Sequence, residues 1–158
     1  MDWALMIAVA GIAIGVITSG FGSTIGIGIA AEVADGALTE DPEKFGAFPI
    51  MVALPGTQGI YGFVCGFLAI IKLGFLGGIR PVLTMAQGWQ MFFACMPVGI
   101  AGWMSGIWQG KVSAYGISMA TKQTPHFMKG VIYAAMVETY AILGLLTTIL
   151  LLNGIKLG

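Results

Sequence analysis

Four side chains in this sequence combine a type and a placement that can do chemistry: Glu138, Gln109, Gln58 and Thr57. Glu138 lies in GVIYAAMVETYAILGLLTTILLLNGI, where every other residue of 130–155 is uncharged and most are apolar. An ionised carboxylate in hydrocarbon costs roughly 3 kcal/mol on insertion scales, so such an acid is expected beside a proton or a cation. If the turn before it falls near Gln123 or Thr124, Gln109 is about as far before the turn as Glu138 is after it. The two side chains then share one depth on neighbouring helices. Every polar group in the set offers oxygen, which suits hard cations. One carboxylate balances one unit of charge, whereas a divalent ion normally recruits more than one acid. Na⁺ is the natural candidate. A bare proton needs Glu138 alone and leaves two buried amides without partners. The competing reading of Gln and Thr is plain hydrogen bonding between helices.

The elements that must position this set are membrane helices. The chain has 158 residues, 58% hydrophobic and 9% charged, with a mean hydropathy of +0.94. That composition belongs to an integral membrane protein. The formal net charge is zero, so nothing points to nucleic acid as a partner. Stretches 3–31, 45–71, 81–110 and 130–155 are uncharged or nearly so. Each exceeds the roughly 20 residues a helix needs to cross the hydrocarbon core. The expected fold class is an all-α membrane protein with four transmembrane helices. The start, Met1-Asp2-Trp3, has no basic region ahead of the first apolar stretch, so that helix is expected to stay.

The chain repeats itself at an offset of 82. LPGTQGIYG (54–62) aligns with MVETYAILG (136–144), since 136 − 54 = 82. Thr57 falls on Thr139, Gly20 and Gly28 on Gly102 and Gly110, and Ser23 on Ser105. The reading is two tandem helical hairpins of the same orientation, 1–76 and 77–158. The repeat carries Thr57 and Gln58 to the depth of 139 and 140, beside Glu138. The halves are unequal: Glu138 falls on Gly56, so only the second hairpin keeps the carboxylate.

The hairpin tips, ADGALTEDPEKFG and ATKQTPHFMKG, each hold a proline suited to a turn. Lys72 to about Gln87 reads as a loop, with Arg80 inside it and Trp89 at an interface beyond. Lys44, Lys122 and Lys129 at the tips nearly balance Lys72, Arg80 and Lys156 at the other end, so basic residues do not orient the chain. Gly11, Gly15, Gly22 and Gly26 on the first helix, and Gly102, Gly106, Gly110 and Ala114 on the third, allow close backbone approach. Such stripes serve ordinary packing within the chain or the inner wall of a ring of identical subunits. Pro55 removes a helical N–H, giving either a kink or opened carbonyls. Tyr61, four residues after Thr57, either caps the site or packs. Lys111 is expected to reach toward headgroups rather than pair with Glu138. His126 reads as interfacial, and Cys65 and Cys95 as buried small hydrophobes.

At LPGTQGIYGF, SGIWQGK and AAMVETYAILG the chain resembles the proteolipid rotor-ring subunits of V-type rotary ATPases, the bacterial K or c type. The resemblance implies a homo-oligomeric membrane ring turning against a stator while soluble subunits hydrolyse or make ATP, with no bond chemistry on this chain. In sodium-type members it implies Na⁺ held by the carbonyl of Leu54 and the side chains of Thr57, Gln58, Gln109 and Glu138, with Tyr61 bonded to the glutamate. It further implies a stator a/I-type membrane subunit that supplies an arginine, and central-stalk subunits at the hairpin tips. The tips then face the cytoplasm and both termini the opposite side of the cell membrane. The alternatives are the same ring carrying H⁺ and, more distantly, a small proton-coupled multidrug transporter. Against the latter, Tyr133 and Tyr140 near Glu138 form no aromatic cage.

Overall fold

The computed structural model describes residues 2–78 and 81–157; Arg80 lies outside the described residues. Among the described residues four helices are long and apolar enough to cross a membrane: α1 (Trp3–Glu40), α2 (Pro49–Lys72), α3 (Met85–Lys122) and α4 (Thr124–Gly154). The protein is a four-span, all-α membrane protein.

α1, α3 and α4 run further toward the tips than their uncharged stretches. α1 continues through Glu32 and Asp35 to Glu40 because these acids lie on its exposed side. α3 likewise continues past Lys111 to Lys122. Charge ends the hydropathic stretch without ending the helix, since an exposed face carries it at little cost. At the other end the loop expected to reach Gln87 stops earlier. Thr84 and Gln87 form a reciprocal capping box, and α3 begins at Met85. Asp2 caps α1 by accepting the Leu5 N–H at 3.2 Å. At the first tip Pro42 opens a 3₁₀ turn (Pro42–Ala47), and Lys44 donates to the Thr121 carbonyl at 2.7 Å, tying the two tips together.

α1 and α3 lie side by side along their length; α2 packs on α1 and α4 on α3, and α2 also touches α4. The α1–α3 seam is a backbone contact. A Cβ on Gly22 would strike Gly102 and Trp103, and one on Gly26 would strike the Gly106 carbonyl and come within 2.8 Å of Pro55. Bulkier residues there would push the two helices apart.

Bulky apolar packing is concentrated at the two ends of the bundle. One cluster, at the connection end, gathers Ile12, Leu73, Met91 and Leu152; the other, at the tip end, gathers Phe48, Met51, Ile117 and Val131. Between them the buried residues are mostly small or polar: glycines, alanines, Ser19, Ser23, Gln58, Ser105 and Gln109. The outward faces stay apolar, with Phe63, Ile132 and Leu150 among the exposed large side chains. That is how a bundle facing lipid and neighbours differs from a water-soluble one.

Candidate ion-binding site

The polar layer is built by a break in α2. Pro55 has no N–H to give, and the chain tightens to a 3₁₀ turn over Leu54–Gly56 before resuming as α-helix at Thr57. The Leu54 carbonyl consequently accepts the Thr57 N–H. It also accepts the Thr57 hydroxyl, at 3.0 Å.

From there the layer is continuous. Thr57 Oγ1 lies 3.5 Å from Gln58 Oε1. Gln58 Nε2 donates to Gln109 Oε1, and both carboxamides are fully buried. Gln109 Nε2 donates to the Ala134 carbonyl at 3.1 Å and reaches Glu138 Oε2 at 3.5 Å. Tyr61 donates its hydroxyl to the other carboxylate oxygen, Glu138 Oε1. Leu54, Thr57, Gln58, Tyr61, Gln109 and Glu138 thus form one connected group drawn from α2, α3 and α4. The amide orientations follow from this hydrogen-bond pattern.

Glu138 itself is half-buried at the outer side of the layer. Lys111 does not meet it: its ammonium sits over the Trp108 ring, 4.4 Å from the centroid. Cys65 and Cys95 are buried free thiols outside the group. The layer therefore offers one carboxylate, two carboxamide oxygens, one hydroxyl and one main-chain carbonyl. Such a donor set fits a monovalent hard cation, because loading leaves the site neutral.

Two supporting residues are not evident from sequence patterns. Ser23 Oγ accepts the Gly59 N–H at 2.7 Å, and Ser19 Oγ donates to the Gln58 carbonyl. Together they hold the main chain on both sides of the Gln58–Gly59 peptide from α1. Their four-residue spacing within a glycine-rich helix is the one signal that points to them. Ser105, the repeat partner of Ser23, instead donates to the Ala101 carbonyl of its own helix at 2.6 Å. A third supporting group, the main-chain oxygen of Ala134 that accepts from Gln109, has no signature in a sequence.

The family profile for the C subunit of ATP synthase matches residues 6–69 and 92–151, one segment in each half. The chain belongs to the ATP synthase C-subunit family. Within that family it is 46% identical over 147 residues to the V-type sodium ATPase subunit K of Enterococcus hirae, covering 93% of this chain and 90% of the relative. It is 38% identical over 149 residues to the A-type ATP synthase subunit K of Methanocaldococcus jannaschii, covering 94% of this chain and 62% of that longer protein. Like other K- and c-type members of the family, it is a non-catalytic membrane rotor subunit of a V/A-type ATPase. The two matched segments show that the chain is a duplication of one family unit.

Proposed function

We propose that this rotor protein carries Na⁺ across the membrane on Glu138, with Leu54 O, Thr57, Gln58 and Gln109 as the other ligands and Tyr61 as the latch on the carboxylate. The observation that carries the reading is the buried Gln58–Gln109 pair running from Thr57 to Glu138. A proton would need the acid alone. Two carboxamides taken out of water at the acid's own depth make sense as ligands of an ion that must lose its hydration shell. The sodium ATPase named among the relatives supports the same ion.

The cycle follows from solvation. A loaded site is neutral and can face lipid. An emptied site exposes an ionised Glu138, which hydrocarbon rejects unless a cation compensates it. In the family resemblance that cation is an arginine of the stator's a/I-type subunit. Rotation of a ring of identical copies is then gated by loading and unloading at the stator. We place the hairpin tips on the cytoplasmic side of the plasma membrane, against central-stalk subunits, and read 1–76 and 77–158 as the two hairpins, of which only the second carries an acid.

The deciding experiment is carbodiimide modification of Glu138 in isolated membranes. Protection by Na⁺ at fixed pH, without protection by K⁺, is expected. Labelling that responds to pH but not to Na⁺ would make this a proton-carrying ring.

A further inference from the structure

The offset that relates the two halves in sequence is also the register in which α1 and α3 pack. A Cβ on Gly11 would meet Phe92 (92 − 11 = 81), and one on Gly110 would meet Gly26 (110 − 26 = 84). The contact is therefore a covalently linked example of how one hairpin of this chain meets another.

Each helix also carries the other's contact face without a partner. α1 turns Gly22 and Gly26 into the seam; their repeat mates on α3 are Met104 and Trp108, 53% and 54% exposed. α3 turns Gly102 and Gly110 into the seam; their repeat mates on α1, Gly20 and Gly28, would meet nothing within 4 Å if given a Cβ. Met104 and Trp108 help line an apolar groove of about 920 Å³ between α3 and α4, together with Pro97, Met136 and Tyr140. The two open faces are different surfaces on the same molecule. Joined between copies, they propagate head to tail, giving a ring where the rotation closes, rather than stopping at a dimer.

Charge marks the same two faces. Glu32 and Lys111 are both exposed, and among the described residues neither forms an ion pair. Their repeat mates are Ala114 (32 + 82) and Ile29 (111 − 82), both uncharged. These two opposite charges thus belong to the two open faces and have no charged counterpart at their repeat positions. Counted in repeat register, Glu32 lies three residues tipward of Lys111, or about 4.5 Å along a helix, within reach of a lysine side chain.

We infer that a second copy of this chain docks the Met104–Trp108–Lys111 face of α3 onto the Gly20–Gly28–Glu32 face of α1, with Lys111 and Glu32 paired between copies. This rests on the ring reading above and names its contact.

The test uses the full chain in membranes. Glu32→Lys and Lys111→Glu are each expected to lower the yield of the high-order assembly in mild detergent about tenfold, and the double swap to restore it. In a Cys65→Ala, Cys95→Ala background, Glu32→Cys with Lys111→Cys is expected to give, on oxidation, a ladder of disulfide-linked oligomers. A wild-type ring whose yield ignores the swaps, and whose cysteine pair gives no ladder, overturns this contact and leaves the ring standing. A wild-type chain that stays monomeric overturns both. Cross-linking that stops at a dimer overturns the head-to-tail arrangement.

Discussion

Tyr61 on α2 donates its phenolic hydroxyl to Glu138 Oε1 on α4, bridging the two hairpins at the outer edge of the polar layer. The bond leaves the second carboxylate oxygen to Gln109. Tyr61→Phe removes the donor and little volume. A hydrogen bond to a charged group is worth about 1.5–3 kcal/mol, so Na⁺ affinity should fall roughly 10- to 100-fold. The Na⁺ concentration giving half-protection of Glu138 from carbodiimide reads this directly. An unmoved midpoint would mean the tyrosine only packs.

Gln109 separates the two candidate ions. Its side chain touches Gln58, the Ala134 carbonyl and Glu138. Gln109→Leu should weaken Na⁺ protection at least roughly tenfold. The pH dependence of Glu138 labelling without Na⁺ should move much less. Equal losses in the two titrations would argue for a proton machine.

Glu138→Gln keeps the shape of the side chain and removes its charge. ATP turnover by the assembled complex should lose its coupling to ion movement while the amount of rotor protein in the membrane stays near normal. Ion uptake into vesicles, measured beside ATP hydrolysis, checks this. Retained uptake would sink the carrier role.

Ser23 and Ser105 form a built-in control. Ser23→Ala leaves the Gly59 N–H without its hydroxyl acceptor, at a cost of about 1–3 kcal/mol if that group stays unsatisfied. Because Gly59 adjoins Gln58, the Na⁺ midpoint should rise several-fold. Ser105→Ala removes only a bond to its own helix and should leave the midpoint in place. Similar effects from both would show that the serines matter for packing alone.

Much of this molecule is legible in its sequence, and the gaps have physical causes. Four spans follow from hydropathy alone, because lipid demands long apolar helices. Reflection about Gln123 or Thr124 gives Gln109 and Glu138 one depth, and their side chains meet in the structure. Depth survives such arithmetic since helix rise is constant; rotation about the helix axis does not. Whether Tyr61 turns toward the acid depends on that rotation, and so does the direction of Ser19 and Ser23. Pro55 announces a disturbance, but not the 3₁₀ turn that follows or its packing against Gly26 of α1. The ends of α1 and α3 are harder to read. Charged residues on an open face mimic a boundary, and the T-x-x-Q pattern at Thr84 starts α3 inside the segment read as a loop.

The apolar clusters at the two ends have a mechanical meaning. They fasten the four rods where they enter and leave the oil. The stretch between is fastened by small residues and hydrogen bonds, which can exchange partners without parting the rods. The proposed cycle asks Glu138 to leave Tyr61 and Gln109 and return to them, and the end clusters hold the frame while it does so.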